Sequence, residues 1–302
     1  MVDPVAIAPG SDTLIMPGRM TTQSLKKVTP VVLTYNEEPN IGRTLDSLRW
    51  AREVVVLDSG STDETEAIAA GFPNVNWLVR PFDAHVTQWQ FAIRQTGISS
   101  EYVLALDADM QVPDKFLQEL ENDFPWGRAA GGMVPFEYRY HGRKLTSSLC
   151  PPQLRLFQRD KVKISQPDHT QCFSVTGETY KFRNKLIHDD RKPIERWVGS
   201  QLAYQRLNEK GLSNGGRHRL RDQLRRAGLM PPIIGALAYL RAGGPFRGAA
   251  AARYAYERAV AEGLLAIRLM DARLKSGESE TKRNVRETEI SSLSNDSSSG
   301  EG

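Results

Sequence analysis

Short apolar runs that end abruptly in polar residues dominate the first 125 positions. Val28–Thr34 reads as a strand, with Pro30 tolerable near its start. The polar turn Tyr35–Asn40 follows, with Asn36 a plausible helix N-cap and Pro39 early in the helix, where its missing N–H costs nothing. Ile41, Leu45 and Leu48 give that helix its apolar stripe. Glu53–Leu57 is a second strand that runs straight into Asp58, a Gly60-containing turn and a helix start at Asp63-Glu64. A third strand, Val75–Val79, leads into a helix around Val86–Gln95. Tyr102–Gln111 begins with an apolar run long enough for a strand buried on both faces. It ends in two carboxylates one residue apart, Asp107 and Asp109, with Gln111 next in the alternation. Pro113 and Asp114 then open a helix through Leu120. Strand and helix in strict alternation predict an α/β fold with a mostly parallel central sheet flanked by helices.

The pattern then changes. Gly131–Tyr140, Gln153–Phe157, Cys172–Thr176 and Tyr180–Ile187 read as strands with polar turns and no helices between them, a mixed or antiparallel extension covering a substrate site. His188-Asp189-Asp190-Arg191 precedes a helix over Pro193–Glu209, where Ile194, Trp197, Val198 and Leu202 keep helical spacing and Gly211 acts as a stop. Arg217–Arg226 is strongly basic and leads into the apolar stretch Met230–Leu240. A further helix spans about Ala249–Leu274, forming a helical C-terminal appendage. Four regions are expected: a flexible leader over residues 1–25, a catalytic domain over 26–215, a basic and apolar helical region over 216–275, and a disordered, Ser/Glu/Lys-rich tail over 276–302.

Composition refines this picture only slightly. Forty per cent hydrophobic and 25% charged residues are ordinary for a soluble chain of 302 residues, and the net charge is +4. Aromatic residues do not interleave with the basic run, which argues against nucleic acid as a partner. Cys150 and Cys172 fit no zinc spacing and favour free thiols in a reducing compartment. The first 20 residues lack a basic start followed by an apolar run, so they do not read as a signal peptide. No apolar window reaches the roughly 20 residues of a spanning helix. The expected location is cytoplasmic, with contact at the inner face of the cytoplasmic membrane through the basic and apolar region.

Candidate chemistry gathers at the strand ends. Open α/β sheets bind ligands outside the carboxyl ends of their strands. There Asp107 and Asp109, with no nearby Lys or Arg in sequence, read either as a seat for a hard divalent cation carrying substrate phosphates or as an acidic turn. No Gly-x-Gly-x-x-Gly follows the first strand and no P-loop is present, so the dinucleotide and P-loop readings lose their main support.

Val31-Val-Leu-Thr-Tyr-Asn-Glu-Glu38, Val-Val-Leu-Asp58-Ser-Gly-Ser-Thr-Asp63 and Leu-Asp107-Ala-Asp109, in this order, resemble the family 2 glycosyltransferases, nucleotide-sugar enzymes with the GT-A fold. His188–Trp197 narrows the resemblance to the branch of lipopolysaccharide-core and related cell-surface glycan enzymes. The resemblance covers about Val28–Leu212 well and the remainder loosely. It implies a metal-dependent inverting hexosyltransferase that uses a UDP-sugar donor, Mg²⁺ or Mn²⁺, and a glycan or lipid-linked glycan acceptor. Under it, Thr34, Tyr35, Asn36 and Glu37 border the base and ribose, and Asp58 accepts a hydrogen bond from the base, unless it closes an Asx-type turn. Asp107 and Asp109 serve ribose and metal, with Gln111 either a further ligand or a solvated turn residue. Asp189 or Asp190 is the general base, with Asp190 preferred because the family places the base second in the pair. Arg191 and Arg196 clamp phosphate or acceptor, and Trp197 floors an acceptor sugar or joins the core. His85, Gln88 and Gln90 depart from the pattern of many relatives, and the role of His188 stays open. Two rivals remain: transfer to a polyprenyl phosphate or peptide on the same fold, and a non-catalytic membrane-associated module that keeps it.

Overall fold

The computed structural model describes residues 23–165, 171–213 and 220–296. Four strands carry the first half: β1 (Val28–Thr34), β2 (Val54–Asp58), β3 (Val75–Val79) and β4 (Tyr102–Asp107). Between them run α1 (Ile41–Asp46), α2 (Thr65–Ala69) and α3 (His85–Arg94), and β4 is followed by a two-residue strand β5 (Met110–Gln111) and α4 (Asp114–Asn122). The four main strands are parallel, in the order β4-β1-β2-β3. Period-two alternation divides their side chains between two cores. Val32, Val56, Leu104 and Leu106 face Ile41 and Leu45 of α1 and Phe116 of α4. Val31, Val55, Leu57 and Val103 face Trp89, Ala92 and Ile93 of α3. Burial on both faces is why these strands read as continuous apolar runs.

Beyond β4 the sheet is extended by β6 (Gly131–Val134), β9 (Gln153–Gln158) and β12 (Thr179–Lys181), giving the seven-stranded order β12-β6-β9-β4-β1-β2-β3. Only β9 runs antiparallel to its neighbours. The expected single strand Gly131–Tyr140 is instead two, broken at Pro135, which cannot donate to a ladder. Its second part, β7 (Phe136–Tyr140), joins a separate four-stranded sheet with β5, β8 (Arg143–Lys144) and β13 (Leu186–His188), and β10 (Val162–Ser165) pairs with β11 (Cys172–Val175). Glycine is required at Gly131, where a Cβ would lie 2.9 Å from the Leu156 carbonyl oxygen. Both cysteines are free.

The C-terminal region is helical: α5 (Ile194–Ser213), α6 (Leu220–Arg226), α7 (Met230–Ala242) and α8 (Gly248–Asp296). α5 runs through the expected stop at Gly211. α8 continues well past Leu274, where disorder was expected, because its Glu-, Lys- and Arg-rich continuation has the propensity to stay helical without an apolar face. The leader up to residue 22, Arg217 to Arg219 of the basic run, and residues 297–302 lie outside the described residues. Ala238, Ala242, Ala250, Ala251 and Tyr254 pack α7 and α8 onto Leu145, Tyr138 and Tyr140. The Thr146 N–H donates to the Ala242 carbonyl (2.9 Å) and the Leu149 N–H to the Tyr254 hydroxyl (2.7 Å).

Candidate active site

Strand order brings the polar residues together. Thr34 is registered against Asp58, and Leu33 against Asp107, so both aspartates flank the carboxyl end of β1. Asp58 is buried and closes its own turn: Oδ2 accepts from the Gly60 N–H (2.8 Å) and the Ser61 N–H (2.7 Å), and Oδ1 from the Ser61 hydroxyl. A carboxylate has about four acceptor sites, so this Asx-type turn leaves one. Gln88, open in role from the sequence, is buried and braces the loop by donating to Ser59 Oγ (3.0 Å) and the Arg80 carbonyl (2.9 Å).

The loop after β1 differs from expectation. Asn36 does not cap α1; it adopts a left-handed φ of 51°, and its Oδ1 accepts from the Thr62 N–H (2.7 Å). Short polar side chains that bond locally tolerate this conformation, and here the turn ties the ends of β1 and β2 together. Arg196 anchors the same turn from α5, donating to the carbonyls of Asn36 (2.8 Å) and Tyr35 (3.0 Å) with its guanidinium over the Tyr35 ring. Trp197 is half-buried, and its neighbours Ile194, Val198 and Leu202 are exposed, so the apolar stripe of α5 is not core. Further along α5, burial and the charges of Asp107 and Asp109 raise the Tyr204 pKa above the ordinary value.

The two carboxylates without a neighbouring cation in sequence acquire cations in space. Arg155 on β9 donates from Nη2 to Asp107 Oδ2 (3.1 Å). Burial works against the charge on Asp107, but Arg155 together with His188 and His85 outweighs it and holds the carboxyl below its usual range. Asp109 is buried, with His188 Nε2 at 3.7 Å from Oδ1 and Lys192 Nζ at 3.7 Å from Oδ2. Its Oδ1 has no hydrogen-bond partner. Gln111 is held in β5 opposite Ile187.

The adjacent aspartates of the His188–Arg191 stretch have different surroundings. Asp189, with only 2% of its side chain exposed, accepts from Arg43 Nη1 (3.1 Å), Arg191 Nη2 (2.8 Å) and the Gly142 N–H (3.2 Å). Asp190 is 32% exposed and receives everything on one oxygen: Oδ1 accepts from Asn40 Nδ2 (2.9 Å) and the Lys192 N–H (3.0 Å), with Lys192 Nζ at 3.2 Å. Burial would raise the Asp190 pKa, but Lys192 and these donors keep it lowered, so the carboxylate is ionised.

Lys192 also reaches Glu37 Oε1 (2.6 Å). Burial works against the charge on the amine, but Asp109, Glu37 and Asp190 outweigh it and raise the Lys192 pKa above its ordinary value. Burial, with the charge of Asp109, pushes Glu37 up to about 7 against the pull of Lys192 and Asn40. Asn40 ties the cluster together: its amide donates to Glu37 Oε2 (2.8 Å) and Asp190, and its carbonyl oxygen accepts from Arg43 (2.7 Å) and the Arg191 N–H (2.9 Å). Asn40, Arg43, Arg155 and Lys192 are site residues missed from the sequence. Arg155 had a signal, a lone arginine between Leu154 and Leu156 in an apolar strand.

Among the described residues no group of three or more His, Cys, Asp or Glu could hold a metal by itself. Asp107 and Asp109 nevertheless fit Mg²⁺ or Mn²⁺, which need one or two carboxylates when substrate phosphates complete the shell, and the bare buried Oδ1 of Asp109 is an acceptor that only a donor or cation would satisfy.

Residues 30–183 match the family model Glycosyl transferase family 2. The chain belongs to that family and is a glycosyltransferase. It is similar to an uncharacterized glycosyltransferase, RT0209, of Rickettsia typhi, at 33% identity over 208 residues covering 64% of this chain and 70% of that one. It is also similar to the lipopolysaccharide core biosynthesis glycosyltransferase LpsC of Rhizobium meliloti, at 36% identity over 93 residues that span 30% of this chain and only 33% of the relative. Among solved structures, TarS 1-349 of S. aureus in complex with UDP aligns over 78% of this chain and 90% of that one at 15% identity, with a TM-score of 0.44.

Proposed function

We propose that the protein is a metal-dependent, inverting hexosyltransferase that moves a sugar from a UDP-sugar to a cell-surface glycan, such as a lipopolysaccharide core, or to its lipid-linked precursor. The observation that carries this is the contrast between two adjacent aspartates, Asp189 saturated by donors and Asp190 with Oδ2 left over beside the Asp107/Asp109 pair. In this reading Thr34, Tyr35, Asn36 and Glu37 border the nucleoside, and the remaining acceptor site of Asp58 takes an N–H of the base. Asp107 and Asp109, with Gln111 beside them, would hold Mg²⁺ or Mn²⁺, which when bound offsets the charge that builds on the leaving diphosphate. Arg191, held on Asp189, would meet the phosphates, Trp197 would border the acceptor, and Arg196 would act on the donor side by holding the Tyr35–Asn36 turn rather than on the acceptor as expected.

Asp190 Oδ2 removes the proton from the acceptor hydroxyl as that oxygen attacks the anomeric carbon. The bond from that carbon to the diphosphate oxygen breaks, its electron pair leaves with UDP, and attack from the opposite face inverts the carbon. Lys192 and Asn40 position the carboxylate through Oδ1. Support for the acceptor comes from the His188–Trp197 stretch and from the likeness to LpsC over part of its length. A lipid-linked acceptor implies work at the inner face of the cytoplasmic membrane. Purified protein with a panel of UDP-sugars and Mn²⁺ is expected to hydrolyse one donor slowly, and Asp109→Ala or chelation to abolish this. Turnover left intact by Asp109→Ala would overturn the metal assignment.

A further inference from the structure

The basic run at the start of the helical region is partly occupied. Arg225 forms an ion pair with Glu262 of α8, with Nε donating at 2.9 Å, so it serves helix packing. Among the described residues, the face that lacks a partner lies further on. α7 packs its small residues inward: Ala238 and Ala242 are buried, and a Cβ on Gly235 would meet Ala259 of α8 at 3.1 Å. The opposite side of the same helix carries Ile233, Leu237 and Leu240, all exposed, with Leu240 at 72%. Leu229 extends this stripe at one end. At the other, the turn Gly244–Arg247 presents Phe246 at 95% exposure. Solvent-exposed aliphatic side chains at i, i+4 and i+7, ending in a bare phenylalanine, form an amphipathic face turned outward.

Charge identifies what that face meets. From Gln223 to Tyr256 the chain has five arginines and no aspartate or glutamate. Two of them, Arg241 and Arg247, are exposed at the Phe246 end of the face. A second copy of this face would bring the same arginines together with no local carboxylate to pair them, which disfavours a symmetric dimer. An anionic bilayer surface satisfies both features, because apolar side chains enter the acyl boundary while arginines meet lipid phosphates. Among the described residues no helix is long and apolar enough to cross a membrane, so α7 would lie in the interface plane.

We infer that Leu229, Ile233, Leu237, Leu240 and Phe246, flanked by Arg241 and Arg247, form a docking surface for an anionic lipid membrane. The surface is joined to the site through packed rings. Tyr254 of α8 packs on Tyr138, whose ring stacks on His188 (centroids 4.6 Å apart), next to Asp109. Docking α7 would therefore fix the height and tilt of the acceptor side above the lipid. This deepens the proposed lipid-linked acceptor and rests on that reading for its purpose, though not for its test.

The test is flotation of the full chain with vesicles of phosphatidylcholine plus phosphatidylglycerol, and of phosphatidylcholine alone, with no substrate present. Binding is expected with the anionic vesicles and to weaken with salt. The double variant Leu240→Glu/Phe246→Glu is expected to lower the partition coefficient about tenfold or more, and Arg241→Glu/Arg247→Glu to do the same on anionic vesicles only. These side chains are exposed, so the melting temperature and donor hydrolysis without vesicles should not change. Absence of flotation with anionic vesicles, or flotation that both double variants leave untouched, would overturn the proposal. So would a dimer in sedimentation that Leu240→Glu/Phe246→Glu dissociates. Vesicle binding by a protein that hydrolyses no UDP-sugar would defeat the donor reading and leave the docking surface standing.

Discussion

In β1, β2 and β4 the residues withdrawn from water are Val31, Val32, Val55, Val56, Leu104 and Leu106, whereas in α7 they are Met230 at its start and then Ala238 and Ala242, and Leu237 and Leu240 stay outside. The first arrangement fills both faces of a sheet with large side chains and fixes the strand ends to which Asp58, Asp107 and Asp109 are attached. The second holds a helix to the domain largely through small residues and leaves most of its large ones available. Chemistry that depends on sub-ångström placement sits on the half with a closed core, while a surface that meets a soft partner can be built on the half that lacks one.

Mutations can sharpen that contrast. Asp189 should behave as a structural residue despite its place in the motif. Asp189→Ala leaves Arg43 and Arg191 without their buried counter-charge and is expected to lower unfolding free energy by about 4 kcal/mol in denaturant titration. Leu104→Ala, in the centre of the parallel sheet, should cost about 3 kcal/mol in the same measurement.

Glu119 joins α4 to the loop after β12, accepting from the backbone N–H groups of Arg183 (2.8 Å) and Asn184 (2.7 Å). Burial would raise its pKa, but these donors outweigh it and lower it. A carboxyl depressed in the folded state contributes stability above its unfolded pKa and loses it as the pH falls through the folded value. Glu119→Gln is therefore expected to cost about 2 kcal/mol at neutral pH, with the gap to wild type closing in melts below about pH 4.3. Leu240→Ala should change stability by about 0.5 kcal/mol or less. A cost close to that of Leu104→Ala would mean that α7 is packed on both sides and that the contrast is false.

The parallel strands β2 and β4 were legible because each apolar run stops where its strand does, and Asp58 and Asp107 mark those stops. The family resemblance followed from these same ends. The split at Pro135 was harder to read, since only that proline interrupts Gly131–Tyr140, which passes for one strand but in fact serves two sheets. Asn40, Arg43 and Arg155 were not read because their partners lie 48 to 150 residues away and meet them only after the sheet forms. Lys192 stood beside the aspartates in sequence, but its bridging of Glu37, Asp109 and Asp190 depends on β13 lying next to β5. The apolar spacing of α5 identified a helix correctly, yet spacing does not say which side of a helix meets protein, and Ile194, Val198 and Leu202 turned out to face outward, as do Ile233, Leu237 and Leu240 in the apolar stretch that forms α7.

The division of labour between Asp189 and Asp190 is tested most directly by Asp190→Asn, assayed for donor affinity by calorimetry with UDP and Mn²⁺ and for sugar transfer in a single turnover. The expected result is unchanged UDP affinity with a transfer rate about 10³-fold lower, as for the loss of a general base. A transfer rate within about twofold of wild type would contradict the assignment of Asp190 as the base.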